Sequence, residues 1–309
     1  MRTIHTMALL AIFVATEAQA TSYTFTNIDF PGVVSKTLPF GINRARQIVG
    51  FYVDPFSTNN NGFMRDSSGT FTTLDVPGAI KTAARSINDA GQIVGGFVDN
   101  NIQRLNHGFL RTGSIITTLD VTGGNNTFAS GINNVGQIVG SFLDSSNVSH
   151  GFERASDGTF AIFDIPGGTS IGDVSINDAG QIAGNFTDSG NLGHGFLRTG
   201  GVITTLDVPG GTNTQAYGIN EAGQIVGSFV DSSNVIHGFL RDSNGAFATF
   251  DAPGGTAQAL GINDAGQIVG SFDGNPGHGF LATPVPVPAT FLLLASALGN
   301  LGFYRRRVT

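Results

Sequence analysis

The 309-residue chain has no cysteine and no tryptophan, and only 12% of its residues are charged. Without cysteine, no disulfide can form in an oxidising compartment, so stability must come from packing alone. The shortage of long, charged side chains argues against a protein built from amphipathic surface helices. The chain instead holds 45 Gly and 25 Phe within a 40% hydrophobic composition. This mixture of turn and strand formers predicts a folded, all-β protein with a real core.

Basic residues are scarce outside the two ends of the chain. The net charge is −7, but the terminal segments contain four of the arginines and one glutamate. The remainder carries 11 basic and 21 acidic residues, a net charge of −10. A surface of this sign repels polyanions, so no nucleic-acid partner is expected.

Residues 1–20 have the pattern of a helical signal peptide. A basic start precedes the apolar run Met7–Thr16, which is too short to span a membrane. The small residues Ala18 and Ala20 then stand where signal peptidase requires them, so cleavage before Thr21 is predicted. The alternative is an N-terminal helix buried in the fold. Export is the expectation that the pattern favours.

Residues 284–309 form a second unusual segment. A proline-rich stretch is followed by the apolar residues 291–304 and by a basic cluster. The apolar run predicts a transmembrane helix, which snorkelling arginines would lengthen. The basic cluster is expected to stay on the cytoplasmic side and stop transfer, leaving the preceding domain outside; it consists of Arg305, Arg306 and Arg307.

The order of proline motif, apolar helix and arginine cluster resembles the PEP-CTERM sorting signal of Gram-negative bacteria. Val287 stands where the usual motif has Glu. The resemblance implies recognition by an exosortase and delivery from the inner membrane to the cell surface or a biofilm matrix of exopolysaccharide. The alternative is a plain C-terminal anchor with a proline hinge. The residues that match the sorting motif are Val285, Pro286, Pro288, Ala289 and Thr290.

Between the ends, one motif is repeated six times with a period of 43 to 45 residues. It runs from Gly41 to Gly50 in the first copy and from Gly261 to Gly270 in the last, where it reads Gly-Ile-Asn-Asp-Ala-Gly-Gln-Ile-Val-Gly. This period is typical of propeller blades and repeat arrays.

Each repeat divides into four short strand candidates joined by turns. In the fifth repeat the predicted strands are Gln215–Asn220, Gln224–Asp231, Val235–Arg241 and Ala246–Asp251. Both faces of the second of these are apolar or small, as expected for a sheet packed between two neighbours. The glycines inside the strands are expected to mark close approach of adjacent sheets against Phe rings.

The ends of the repeat region predict a closed ring. The segment from Tyr23 matches a fourth strand, whereas His278-Gly-Phe-Leu281 at the other end matches a third. The first segment can therefore complete the last sheet, which an open solenoid would not need. Residues 21–283 are thus predicted to form a six-bladed β-propeller of four-stranded blades without exposed edges.

The repeated Gly-Ile-Asn and Gly-Gln-Ile-Val-Gly, followed by His-Gly-Phe, resemble the HAF family of extracellular repeats. Glycine stands where that family usually has the alanine of His-Ala-Phe, and Asn61 replaces the histidine of the first repeat. The resemblance implies a secreted repeat protein and assigns no chemistry to it.

Histidine is the first candidate for chemistry. One histidine occupies the same place in five repeats, at His107, His150, His194, His237 and His278. A ring would keep them far apart, so a structural role is expected, with each imidazole hydrogen-bonded to a nearby Asp or Asn.

Aspartate is the second candidate. The six equivalent positions before Pro-Gly are Asp29, Asp75, Asp120, Asp164, Asp207 and Asp251. They could converge at the channel mouth and hold Ca²⁺, which takes six to eight oxygen ligands. The favoured interpretation is that each forms an Asx turn, with no cofactor bound.

The sequence shows no nucleophile elbow, phosphate loop or metalloprotease helix. The irregular charges in the middle repeats are expected to be solvated, namely Lys81, Arg85, Arg104, Glu153 and Arg154. The leading hypothesis is a non-enzymatic surface or matrix protein with a monomeric ectodomain that contacts extracellular polysaccharide or another surface protein. The alternatives are a glycan hydrolase or lyase that uses the Asp ring, and a coat component without a ligand.

Overall fold

The computed structural model describes residues 22–32, 36–54, 56, 59–253, 255–272 and 277–285. These residues form 24 strands in six separate sheets of four antiparallel strands each. The innermost strands of all six sheets line one central cavity, so the sheets are the blades of a six-bladed β-propeller. The predicted fold and its four-stranded blades are confirmed.

The blades follow one another along the chain. Blade 1 consists of β2 Lys36–Ile42, β3 Ile48–Val53, β4 Asn60–Arg65 and β5 Phe71–Thr73. Blade 2 consists of β6 Lys81–Ile87, β7 Ile93–Val98, β8 Asn106–Thr112 and β9 Ile115–Leu119. Blade 3 consists of β10 Asn125–Ile132, β11 Ile138–Leu143, β12 Ser149–Arg154 and β13 Phe160–Phe163.

The second half repeats this order. Blade 4 consists of β14 Gly168–Ile176, β15 Ile182–Asp188, β16 Gly193–Thr199 and β17 Val202–Leu206. Blade 5 consists of β18 Thr212–Ile219, β19 Ile225–Val230, β20 Ile236–Arg241 and β21 Phe247–Phe250. Blade 6 consists of β22 Ala257–Ile262, β23 Ile268–Phe272, β24 His278–Pro284 and, as its outermost strand, β1 Tyr23–Ile28.

The first strand of the chain closes the ring. Strand β1 pairs antiparallel with β24, from Tyr23 opposite Pro284 to Ile28 opposite Gly279. The predicted closure is therefore confirmed. Strand β24 extends through Pro284, one residue past the domain boundary that the sequence predicted at 283. Closure gives β24 a partner on its outer side, so blade 6 has four strands like the others. The outermost strand of each blade has one hydrogen-bonded neighbour among the described residues, so the prediction that no strand edge is left exposed is wrong.

The core lies between neighbouring blades, as both faces of the predicted strands suggested. Each third strand contributes a Phe with 0% exposure, at Phe63, Phe109, Phe152, Phe196, Phe239 and Phe280. The clusters of buried hydrophobic side chains extend across the boundaries between blades. Val139 of blade 3, for example, packs with Ile182 and Phe196 of blade 4. Burial of these side chains stabilises the ring at roughly 25 cal/mol per Å² of apolar surface removed from water.

The glycines of the second strands mark close approach within a blade. A Cβ at Gly50 would collide with the carbonyl oxygen of Leu38 on the innermost strand and would lie 2.9 Å from the Phe63 ring. Both neighbours belong to the same sheet, so this glycine accommodates a Phe of its own blade. Glycine is needed here because the bulged inner strand brings its backbone against the second strand. Gly41 instead approaches the backbone of Arg85 and Ser86 in blade 2, so close approach of adjacent sheets is confirmed for the innermost strand.

The predicted end segments lie outside the described residues. These are the signal peptide with Ala18, Ala20 and Thr21, and the sorting and membrane segments beyond Val285. Val285 itself follows β24, and its N–H donates a hydrogen bond of 2.8 Å to the carbonyl of Ser22. In the part of the chain that the structure describes, no helix has the length and hydrophobicity needed to cross a membrane.

Candidate functional site

Each blade except the first joins a histidine to aspartates at one edge of the disc. The histidine begins or lies next to the start of the third strand, and an aspartate directly follows the fourth. The Nδ1 to carboxylate distances are 2.9, 2.7, 3.1, 2.8 and 3.0 Å, for the pairs His107–Asp120, His150–Asp164, His194–Asp207, His237–Asp251 and His278–Asp29. The expected structural hydrogen bonds of the histidines are confirmed.

In four blades a second aspartate, at the end of the second strand, faces the other ring nitrogen. Asp231 lies 3.3 Å from His237 Nε2. Its Oδ1 also accepts hydrogen bonds from the N–H groups of Ser233 and Val235, at 2.9 and 2.8 Å. This carboxylate therefore orders the loop between the second and third strands and anchors the imidazole to it.

The carboxylates raise the pKa values of the histidines. Hydrogen bonding to Asp251 raises the pKa of His237 above its ordinary value of 6.5, and Asp231 raises it further. Partial burial lowers the pKa of His194, but Asp207 and Asp188 outweigh that effect. The backbone N–H of Val235 in turn lowers the pKa of Asp231. The charged form of the pair is thus favoured over a wide pH range.

Blade 1 lacks this pair. Asn61 stands where the other blades have histidine, and Asp75 instead accepts a hydrogen bond of 3.1 Å from the N–H of Gly62. Burial raises the pKa of Asp75, because no cation offsets the loss of solvent.

The six aspartates before Pro-Gly do not converge. Each follows the outermost strand of a different blade, and none lines the central cavity. The alternative of a carboxylate ring at the channel mouth is therefore wrong. The Asx-turn interpretation placed the turns on the wrong residues, because the Asx hydrogen bonds belong to aspartates such as Asp144, Asp231 and Asp242. Within the described ranges, no three His, Asp or Glu side chains are grouped to hold a metal ion.

A ring of asparagines surrounds the central channel. The Nδ2 of each asparagine donates to the backbone carbonyl of the next blade's asparagine at 3.1 to 3.2 Å, through Asn43, Asn88, Asn133, Asn177, Asn220 and Asn263. Each Oδ1 also accepts the N–H of the glutamine four residues later, as in Asn43 and Gln47 at 2.9 Å. The repeated Asn-x-x-x-Gln spacing is the sequence signal of this ring, although the sequence alone predicted no role for it.

The residues next to the asparagines form a charged mouth. Arg44 bridges its two neighbours, with Nε 2.6 Å from Asp264 and Nη1 3.2 Å from Asp89. On the opposite side, the N–H of Asp178 donates to Glu221 at 2.9 Å. Burial raises the pKa of Glu221, and the charges of Asp178 and Asp264 raise it further.

Above the asparagine ring, each innermost strand has a bulge where the register shifts. The bulged residue lines the channel, and it differs in every blade: Phe40, Arg85, Ser130, Asp173, Tyr217 and Leu260. The repeat symmetry is broken here, although the sequence looked uniform. A bulge turns an extra side chain toward the channel because it interrupts the in-and-out alternation of the strand.

Arg85 joins these unlike residues across the channel. Its Nη1 lies 3.1 Å from the Asp173 carboxylate of blade 4, and its guanidinium carbon lies 4.2 Å above the Phe40 ring of blade 1. Burial, with the charge of Asp173, raises the pKa of Tyr217 to about 12. The buried Oγ of Ser130 has no hydrogen-bond partner among the described residues. The cavity has a volume of about 100 Å³, which is room for several waters.

The prediction that the irregular charges are solvated is wrong for two of them. Arg85 lies in the channel, and its side chain is 24% exposed. Glu153 of blade 3 forms an ion pair of 3.3 Å with Arg198 of blade 4, and 25% of its side chain is exposed. Lys81 and Arg104 are exposed, as expected, and Arg154 is half-buried, with its guanidinium carbon 5.9 Å from the centroid of the Phe160 ring.

No protein-family model matches the chain, and no curated protein matches it. The chain is similar to the solved structure of TolB from Acinetobacter baumannii, with a TM-score of 0.56 and 14% identity over 72% of this chain and 56% of that one. It is similar to virginiamycin B lyase from Staphylococcus aureus, with a TM-score of 0.50 and 12% identity over 85% of this chain and 100% of that one. It is also similar to AofleA from Arthrobotrys oligospora, with a TM-score of 0.50 and 9% identity over 83% and 84% of the two chains. At identities this low, the likeness establishes the propeller fold alone.

Proposed function

We propose that this chain is an exported, non-catalytic repeat protein of the cell surface or extracellular matrix of a Gram-negative bacterium. Its propeller binds extracellular polysaccharide or another surface protein. The N-terminal segment directs export, and the PEP-CTERM-like tail holds the precursor in the inner membrane until an exosortase processes it. The proposal combines the sequence patterns of the two ends with the geometry of the ring.

One observation carries the proposal of binding. The histidines, which were the first candidates for chemistry, are each hydrogen-bonded to an aspartate of their own blade, one in each of blades 2 to 6. The side chains that differ between blades lie instead around the channel, at Phe40, Arg85, Ser130, Asp173, Tyr217 and Leu260. A constant frame that displays variable side chains supports a recognition surface, because specificity comes from sites placed on a fold.

The binding experiment uses the purified protein and the polysaccharide of the producing strain. We expect the polysaccharide to retain the protein in a pull-down assay and its chain length to stay unchanged on size-exclusion chromatography. Heat-unfolded protein is the control for non-specific adhesion. Absence of retention would argue against a polysaccharide ligand. Shortening of the chains by the folded protein would favour the glycan hydrolase or lyase alternative.

The sorting proposal is tested by deleting residues 285–309. We expect the truncated protein to leave the cell envelope and collect in the medium. A matched variant replaces Arg305, Arg306 and Arg307 with glutamine and keeps the apolar segment, which separates loss of the anchor from loss of the basic stop. A truncated protein that remains in the envelope would show that the tail is not the anchor.

A further inference from the structure

A second cavity opens on the propeller where blades 1, 2 and 3 meet. It has a volume of about 310 Å³, at the small end of the range for ligand sites. We name it the blade 2 cleft; among the residues that line it are Lys81, Arg85, Gly96, Phe97, Asn106 and Phe128. Arg85 lines both the cleft and the central channel.

The cleft exists because blade 2 and its neighbours depart from the repeat. Gly96 stands where blades 3, 5 and 6 have Ser141, Ser228 and Ser271. A Cβ at Gly96 would lie 3.1 Å from the ring of Phe128, which itself replaces the glutamine found in blades 5 and 6. The missing side chain therefore makes room for an aromatic wall that the other blades do not have.

The charge of the cleft is opposite to that of the protein. Lys81 and Arg85 line it, and no carboxylate does so among the described residues. The chain as a whole carries a net charge of −7. Lys81 is exposed and forms no ion pair with any described residue. Asp173 offsets part of the charge of Arg85 from the channel side, so Lys81 is the cation without a carboxylate beside it. In a protein of this sign, a cleft with such a lysine favours an anion.

Contacts on the channel side of the cleft hold Arg85 in place. The Nη1 bond to Asp173 and the stacking on Phe40 fix the guanidinium plane. Phe40 is in turn stacked on Phe51, another residue of the cleft wall, with ring centroids 5.7 Å apart. A guanidinium has five N–H donors in a rigid fork, so one bond to Asp173 leaves others for a ligand carboxylate.

We propose that the blade 2 cleft binds a uronate-bearing segment of an acidic polysaccharide. The inference deepens the proposed function and rests on it. Lys81 and Arg85 receive the sugar carboxylate, and the rings of Phe97 and Phe128 pack against the apolar face of the sugar. Asn106 supplies an amide for the hydroxyl groups. An acidic chain suits the cleft better than a neutral one, because a neutral sugar leaves the Lys81 ammonium without an anionic partner among the described residues.

Isothermal titration calorimetry tests this with tetramers of galacturonate, glucuronate and mannuronate, each beside the neutral tetramer of the same linkage. We expect at least one uronate to bind about tenfold more tightly than its neutral counterpart, with affinity falling as salt rises. Lys81→Ala should remove most of that preference. Lys36→Ala is the matched control, because Lys36 is the equivalent residue of blade 1 and does not line the cleft.

A second variant makes the test independent of charge. Gly96→Ser introduces the residue that blades 3, 5 and 6 have at this position and narrows the cleft against Phe128. We expect weaker uronate binding with an unchanged circular dichroism spectrum. Equal affinity for acidic and neutral tetramers, or equal effects of Lys81→Ala and Lys36→Ala, would overturn the inference.

The two proposals can fail separately. If the strain's polysaccharide retains the wild-type and Lys81→Ala proteins equally, the protein binds polysaccharide elsewhere and only the cleft assignment falls. If the cleft binds uronates but the strain's polysaccharide does not retain the wild type, the matrix function falls and the cleft remains a uronate site. If wild type binds neither, both fall.

Discussion

The side-chain amide of Asn263 donates a hydrogen bond of 3.1 Å to the backbone carbonyl of Asn43, across 220 positions of sequence. This bond joins the last blade to the first and completes the asparagine ring. Strand β1 closes the same boundary at the outer edge of the disc by pairing with β24. Two contacts therefore close the ring: the Asn263–Asn43 hydrogen bond beside the channel and the β1–β24 pairing at the outer edge.

The asparagine ring predicts a large loss of stability on removal of one amide. Asn88 is 3% exposed and donates to Gln92 and to the carbonyl of Asn133. Replacing it with Asp removes the donor and sets a carboxylate against the Asn133 carbonyl. We expect a loss of about 2 to 4 kcal/mol in the free energy of unfolding, because buried groups lose their partners.

Chemical denaturation measures this effect. Asn244→Asp, in an exposed turn, is the control and should change stability little. Equal stability of Asn88→Asp and wild type would show that the ring does not hold the blades together.

The second prediction concerns the contribution of strand β1 to stability. Ile28 is 1% exposed and packs with Ile42, Phe63 and Leu281. Ile28→Ala should cost about 2 to 5 kcal/mol, as for other large-to-small substitutions in a packed core. Thr26→Ala, at an exposed position of the same strand, is the control. If thermal unfolding shows the same midpoint for both variants, strand β1 does not contribute the closure that its pairing indicates.

The histidine and aspartate pairs predict a dependence of stability on pH. The pKa of His237 is raised in the folded state, so its contribution is present below about 6.5 and is lost as the pH rises through the folded value. The pKa of Asp231 is lowered, so its contribution is present above about 3.8 and is lost as the pH falls through the folded value.

His237→Asn copies the asparagine that blade 1 carries at Asn61. We expect the variant to have a lower melting temperature than wild type near pH 6, and the difference to narrow toward pH 8.5. Melting curves across this range measure it. A difference that stays constant with pH would assign the imidazole a packing role only.

Blade 1 allows the opposite experiment. Burial raises the pKa of Asp75, so the folded state is favoured while this carboxyl is protonated and loses that advantage as the pH rises through the folded value. Asn61→His should supply the missing imidazole, lower the pKa of Asp75 and raise the melting temperature near pH 6. Carboxyl titration by NMR reports the pKa directly. An unchanged pKa of Asp75 would mean that the new histidine does not pair with it.

The sequence predicted the blades of this protein because the hairpins that form them are local and repeated. The six copies of the repeat predicted six blades, and turns such as 220–223 predicted the hairpins. In that turn, Gly223 has a φ of 73° and its N–H donates a hydrogen bond to the carbonyl of Asn220. The match of Tyr23–Ile28 to a fourth strand was enough to predict closure, since a closed ring needs every strand partnered.

Tertiary structure alone decided where the variable side chains point. A bulge shifts the alternation of a strand by one residue, so the sequence pattern could not show that Arg85 and Asp173 face one channel. Nor could it show that Gly96 and Phe128, from different repeats, form one cleft, because their proximity depends on how neighbouring blades stack. The chain specified six like sheets from its own repetition, and the packing of those sheets around an axis brought their few unlike residues together.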